Sequence, residues 1–433
     1  MPGMIDTIKN AFKIPDLRRK LLLTLGLLVV FRIGCAVPVP GIDIAAFRSL
    51  VDSLGNIGNL FDAISGGALR QVSIFSMSIT PYINASIIMQ LLTVVIPSLE
   101  RLQKEGEEGR KKIMQYVRYA TIVLGLLEAG ALWYGARSAQ SGVLPEFLNA
   151  IVVIFSFTAG TTFIMWLGEQ INEFGIGNGI SLMIFAGIVS RGPAGANALI
   201  AYFQNWTLSY NVLVAVALIL LVVLAFVAII GGVIFVQLAE RRITVQYAKR
   251  VVGRKMYGGQ STYLPIKVNM AGVIPIIFAM SIMTLPATII SFFFTSSTNP
   301  FIIWLKAATS QSVGYYVIYA LMIFGFTFFY SMIQFNPVEV SNNLQKNGGF
   351  VPGYRPGRPT AEYISRVSNR LTWFNGIFLA LVTLLPVILG GVTKASGLWF
   401  GGTAVLILVG VAIDLVNQLE SQMLMRHYKG FLD

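Results

Sequence analysis

Ten apolar runs, each about 20 residues long, recur along this 433-residue chain. A helix rising 1.5 Å per residue needs about that length to cross the roughly 30 Å hydrocarbon core of a bilayer. Helices in a soluble core have no reason to keep to it. The runs fall at about 21–40, 73–96, 117–135, 150–168, 180–201, 211–237, 271–294, 313–335, 372–390 and 399–417. Only 12% of the residues are charged and 55% are apolar, where a soluble chain carries roughly 25% charged. Backbone polar groups inside lipid must be satisfied within the spanning segment, so the chain reads as an all-α polytopic membrane protein. The mixed, charged residues before the first run are not those of a cleavable signal. That run is expected to stay attached as the first span.

Basic residues orient the spans. With both termini inside, 25 of the 32 Lys and Arg residues fall on the inner face and 6 on the outer one, with Arg32 inside the first run. The positive-inside rule selects this orientation over its reverse. Five spans precede the loop near 202–210 and five follow it, which divides the chain into halves at 1–205 and 206–433. An odd number per half inserts the two in opposite orientations. That allows an inverted repeat with a site at the interface; ten spans without symmetry fit the same count.

The loops are unequal. In the outer segment 41–72, a short apolar piece, Leu60 to Ile64, lies between Gly55, Gly58, Gly66 and Gly67. It is too short to span, so it is either a re-entrant piece lining a cavity or a surface turn. The longest inner loops are 237–268 and 336–370. The first carries Arg241, Arg242, Lys249, Arg250, Arg254 and Lys255, with alternation around Ile243–Tyr247 and a Gly258-Gly259 pair that predict a hairpin. The second ends in a Pro/Gly-rich tip, Val351 to Pro359, whose composition predicts a shaped turn.

Some chemistry is missing. One cysteine (Cys35) and one histidine (His427) exclude a disulfide framework and a His/Cys metal cluster. No Ser/His or Cys/His set suggests nucleophilic catalysis, and no glycine-rich phosphate loop is present. Ionisable residues within or beside the runs are few: Arg32, Glu128, Glu169 and Asp414. That is sparse for a proton relay or a coupled transporter. Arg32 is expected to pair with an acid from another helix.

Particular residues carry a resemblance. The run from Asn59 through Ser65-Gly66-Gly67-Ala68-Leu69 to Thr80-Pro81-Tyr82-Ile83-Asn84-Ala85-Ser86-Ile87 resembles a signature of the SecY/Sec61-alpha family. So do Trp166 to Ser181, Gln260 to Pro275, Phe350 to Gly357 and Phe400 to Thr403. These cover the chain nearly end to end and in order.

The resemblance implies a protein-conducting channel and not an enzyme, with ten helices in two inverted halves around an hourglass pore and no cofactor or metal. Carried over position by position, the pore ring is Ile83, Ile87, Ile184, Ile188, Ile277 and Ile407. A plug near 57–70 includes Leu60, Phe61, Ile64, Ser65, Gly66 and Gly67. A lateral gate to lipid runs between the second and third spans and the seventh and eighth, with Leu285 and Pro286 on the seventh. Docking positions for the SecA ATPase or the ribosome, including its RNA, are Arg254 and Arg355, supported by Lys249, Arg250 and Lys267. The implied companions are SecE and SecG subunits, signal peptides, nascent chains and membrane lipids, in a bacterial cytoplasmic membrane. A secondary transporter and an intramembrane enzyme are the competing readings.

Overall fold

The computed structural model describes residues 10–53, 62, 65–142, 145–209, 211–247, 250–252, 255–257, 261–293, 299–300, 313–393 and 402–429. Helices dominate them. In chain order they are α1 (Pro15–Gly34), α2 (Ile44–Ser53), α3 (Thr80–Val95), α4 (Pro97–Lys104), α5 (Glu107–Gly135), α6 (Glu146–Phe174) and α7 (Gly179–Ser190). There follow α8 (Gly192–Ser209), α9 (Val212–Leu238), α10 (Ile274–Phe293), α11 (Val313–Gln334), α12 (Pro337–Lys346), α13 (Arg358–Thr393) and α14 (Gly402–Lys429).

Each of the ten apolar runs overlaps a helix, and among the described residues five stretches are by themselves long and apolar enough to cross a membrane. They are Glu146–Phe174, Gly179–Leu208, Val212–Leu238, Val313–Lys346 and Gly402–Leu424. The pair α3 and α4 makes a sixth only if it is one span, and it is bent by 100°. Pro97 explains the bend. A proline excludes the residue before it from helical geometry, and Ile96 is extended at φ −98°, ψ 112°.

Several helices extend beyond their runs, and two boundaries fall well inside the run expected from periodicity. The first run was expected to reach residue 40, but α1 ends at Gly34, and residues 37–39 pair with 72–74 through Val39 N–H to Val72 O (2.8 Å) and Ile74 N–H to Val37 O (3.0 Å). The second was expected from residue 73, but α3 begins at Thr80. Between them Ser73 and Ser76 hold a turn: the Phe75 N–H donates to Ser73 Oγ, and Ser76 Oγ donates to Ser73 O. Serine offers the backbone an alternative to the helix, and apolar counting does not register it.

The helices pack so that N-terminal and C-terminal elements meet at two seams. Helix α7 lies against α14, and α10 lies against both α3 and α5. The largest apolar cluster fills this junction, with Phe31, Phe75, Ala85, Leu182 and Val411 among its members. By contrast α9 is apolar on every side, with Leu213 and Phe235 85% and 76% exposed. A helix of that kind is matched to lipid or to a partner helix rather than to water.

The predicted hairpin is present, within a larger unit. Strand β1 (Glu240–Tyr247) runs antiparallel to β4 (Ser261–Lys267), in register from Glu240↔Lys267 to Gln246↔Ser261. Strands β2 (Arg250–Val252) and β3 (Lys255–Tyr257) pair at its far end. The other edge of β1 is taken by β5 (Gly349–Phe350) of the second long loop, so the strand order is β4-β1-β5. Ile243, Val245, Ile266, Val351 and Ile364 form one apolar core beneath the sheet, joining both loops to the start of α13. Replacing Ile243, 4% exposed, with alanine is expected to cost about 2–5 kcal/mol. Limited proteolysis in detergent should then cut both loops faster while helical circular dichroism holds; cutting of one loop alone would mean that they are not one unit.

Candidate functional site

The residues expected to line a constriction come from four helices. Ile83 and Ile87 are a turn apart on α3, Ile184 and Ile188 a turn apart on α7, Ile277 is on α10 and Ile407 on α14. Ile184, Ile188 and Ile407 are buried members of the junction cluster, with Ile83 and Ile277 packed against it. Ile87 is also buried, at 3% exposure. Asn178 sets the start of α7 by accepting from the Ile180 and Ser181 N–H groups, and this cap places the helix's isoleucines one and two turns further along. The isoleucine side chains are branched hydrocarbon and offer no hydrogen-bond partner. A constriction lined by them would exclude ions, because it cannot replace their hydration.

A compact segment leads out of this cluster. Gly66 lies against α7 closely enough that a Cβ there would stand 2.8 Å from the Gly187 Cα and 2.8 Å from Arg32 Nη1. Its φ of +66° also favours glycine. Arg32 Nη1 donates to the Gly66 carbonyl at 3.0 Å. The acid expected opposite Arg32 is not there: among the described residues its partner is a carbonyl. The buried acid of this region, Asp62, instead faces Arg191 at the end of α7, Oδ2 to Nη1 at 3.0 Å. Ser65 is buried, and its carbonyl lies 4.0 Å from the Cys35 sulfur, which packs in the junction cluster. Of the expected plug positions Ser65, Gly66 and Gly67 are thus placed, while Leu60, Phe61 and Ile64 lie outside the described residues.

Other polar groups bind helices to one another. Asn84 Nδ2, on α3 between the two expected ring residues, donates to Glu128 Oε1 of α5 at 2.9 Å. Arg118 Nε donates to Glu169 Oε1 at 2.7 Å, tying α5 to α6. Asp414 lines a cavity of about 470 Å³ with Lys267, Asn269, Tyr330 and Gln334. Each ionisable group noticed within or beside the apolar runs therefore has a local, structural neighbour.

The residues expected to dock partners divide similarly. Lys267 is exposed at the end of β4, and Arg355 is exposed in the turn after β5. That turn is held by Tyr354 N–H to Val351 O (3.0 Å), Thr360 Oγ1 to Arg355 O (2.8 Å) and stacking of Tyr354 on Tyr363. Arg241 and Arg242, read from the sequence as basic loop residues but not as docking positions, are also exposed, on the strand next to that of Lys267. Arg250 lies on β2. Lys249 and Arg254 lie outside the described residues. Leu285 and Pro286 sit on α10, the helix that packs against α3 and α5.

Sequence reasoning missed the Asp62–Arg191 and Asn84–Glu128 pairs. The available signal was chemical: few acids and amides occur near apolar runs, so each one present needs a partner. Replacing Asn84 with alanine leaves a largely buried carboxyl without its donor and is expected to cost about 1–3 kcal/mol. Thermal unfolding in detergent should show the loss, and should show most of it recovered in the Asn84→Leu, Glu128→Leu double variant. A double variant no better than the single one would contradict the pairing.

Comparison with known proteins places this geometry. The family model described as SecY matches residues 73–416. The chain is 45% identical to the protein translocase subunit SecY of Thermotoga maritima, covering 99% of this chain and 98% of that one. It is 47% identical to that of Halalkalibacterium halodurans, covering 99% and 100%. In fold it is similar to a solved protein-conducting channel, with TM-score 0.63, 19% identity, and 94% and 92% of the two chains covered. A similar match, TM-score 0.59 at 18% identity, covers 94% of this chain and 92% of Sec61 in a canine ribosome–channel complex.

Proposed function

Because the chain belongs to the SecY family, we propose that it is a passive, gated pore through which unfolded polypeptides cross the bacterial cytoplasmic membrane. Ten helices in two inverted halves, 1–205 and 206–433, enclose the pore, with both termini inside. One observation carries the reading: isoleucines from helices of both halves, whose side chains offer no polar contact, converge on a single apolar cluster.

The mechanism follows from that chemistry. At rest, Ile83, Ile87, Ile184, Ile188, Ile277 and Ile407 meet across the pore, and ions do not pass because nothing there replaces their water. A polypeptide pushes the side chains outward. Branched hydrocarbon moulds around any sequence and forms no specific hydrogen bonds, so passage does not depend on the residue in transit. The segment near 57–70 is the plug that rests against the ring helices when the pore is idle. Its placed part lies against α7 beside Ile188, as the Gly66–Gly187 approach supports.

Membrane segments leave sideways where α10 meets α3 and α5, the contact that would part in a lateral gate carrying Leu285 and Pro286. A signal peptide wedges this seam, and an apolar segment then partitions into lipid by its own transfer free energy, about −0.3 to −0.6 kcal/mol per central Leu or Ile.

The shared sheet of the two inner loops is the docking face for the SecA motor or the ribosome. Arg254 and Arg355 lead, supported by Lys249, Arg250 and Lys267. Ribosomal RNA would meet these charges as phosphate, so that contact weakens steeply with salt. The exposed apolar flank of the helices accepts lipid and the SecE and SecG subunits. The energy for transport comes from the docked partner.

A precursor stalled in transit, with a photo-cross-linker in its membrane-embedded stretch, is expected to label Ile83, Ile184 and Ile407. Labelling of none of these while small-solute uptake persists would favour a transporter. Ile407→Asn should loosen gating, giving measurable ion leak and export of precursors with weak signals; unchanged conductance and selectivity would remove Ile407 from the ring. Arg355→Glu should reduce SecA-driven export severalfold at equal protein level, and normal export would remove Arg355 from the docking face.

A further inference from the structure

The contacts of the segment 62–70 fall into two sets, and the division has mechanical meaning. One set is internal. The Asp62 carbonyl accepts from Gly67 N–H (2.8 Å) and Ser65 Oγ (3.2 Å), and its Oδ1 accepts from Arg70 N–H (3.1 Å). Arg70 Nε also lies 3.6 Å from Asp62 Oδ2. The other set is external and tethers the segment to the helices around it. Its charged members are Asp62 Oδ2 facing Arg191 Nη1 at 3.0 Å and Arg32 Nη1 donating to Gly66 O at 3.0 Å, while the Ala68 carbonyl accepts from Ser73 N–H (3.1 Å) and Ser76 Oγ (3.1 Å) of the turn that follows.

Burial makes the external set matter. The Asp62 side chain is 1% exposed and that of Arg191 18%. Removing one member of a buried ion pair leaves a charge without compensation and is strongly destabilising. The same principle would make movement of Asp62 away from Arg191 prohibitive if the carboxylate left alone. It does not leave alone, because Arg70 belongs to the same internal fold and moves with it. The Asp62–Arg191 contact is also close without hydrogen-bond alignment, so its separation breaks no well-directed bond.

We propose that Asp62 and Arg191 form a releasable electrostatic latch that positions the segment against α7 at rest, with Arg32 as second anchor and Arg70 as the counter-ion that accompanies Asp62 on release. This rests on the reading of the segment as a plug. Asp62, Arg191 and Arg32 are positioning residues: they set how long the pore stays shut and do not touch the polypeptide in transit. Opening exchanges a carboxylate shared by two arginines for one held by Arg70 alone, a smaller cost than unpairing it outright.

The test uses the full channel complex in proteoliposomes, with two readouts: resting ion leak, and export of a precursor whose signal sequence is defective. Asp62→Asn and Arg191→Gln should each raise the resting leak at least about tenfold, given the cost of breaking a buried pair, and each should let the defective precursor through. Arg191→Lys, which keeps the charge, should recover most of the seal. Equal leak from Arg191→Lys and Arg191→Gln would show that shape rather than charge is at work and would overturn the latch.

A separate experiment tests the reading beneath it. Ser65→Cys, joined to the native Cys35 by a direct disulfide formed with a small membrane-permeant oxidant, should stop translocation, and reducing the bridge should restore it. Translocation that continues with the bridge formed would overturn the plug. Failure of the bridge to form would overturn the resting position of the segment. A bridge that blocks transport, together with unchanged leak in Asp62→Asn and Arg191→Gln, would leave the plug standing and dismiss the latch alone.

Discussion

The seam between the two sets of helices is filled by hydrocarbon, and much else in the molecule answers to that choice. Ile184 and Ile188 of α7 meet Ile407 of α14 in one cluster, with Ile83 and Ile277 against it. Apolar contact is non-directional, so it holds two bodies together without fixing them through bonds that must be broken one at a time. The proposed channel needs that property: a seal that re-forms over any side chain. The polar pairs serve a different end. Asn84 with Glu128 and Arg118 with Glu169 join neighbouring helices of the N-terminal set. Directional contacts join helices within one set, while non-directional ones fill the seam between the sets.

Family membership and this geometry converge from separate directions. Sequence identity of 44–47% to bacterial relatives across nearly the whole chain establishes the family. The similarity to solved channels, at 19% identity or below, speaks for the fold alone. What the residues add is a physical account of the activity. The chain carries an apolar cluster between its two sets of helices, a segment held by a few buried polar contacts, and a basic sheet, with no nucleotide loop of its own in the sequence.

Much of the helical framework was legible because bilayer thickness imposes a length, and length survives in the apolar runs. Their boundaries were less so where serine intervenes. Ser73 and Ser76 hold a turn where an apolar count continues a helix, whereas the end of that run at residue 96 matches the helix end before Pro97. The i,i+4 spacing of Ile83/Ile87 and Ile184/Ile188 was visible, but isoleucine in a lipid-facing helix looks the same. Only the motifs distinguished these positions beforehand. Asp62 was in view inside a quoted motif, yet its partner Arg191 lies far along the chain, and no local pattern reports a contact of that range. The pairing of β5 with β1 was hidden for a related reason: Gly349–Phe350 is too short to carry a strand signal.

That short strand has a mechanical consequence. The hairpin springs from the end of α9 and returns toward α10, whereas β5 lies between α12 and α13. Lacing them into one sheet couples elements that enter the helical body at separate places. A load applied at the Arg355 turn is shared through β1 with the α9–α10 connection, and α10 is the element seated against α3 and α5. The sheet is therefore a crossbar: two loops far apart in the sequence are held as one piece at the foot of the helix beside the seam.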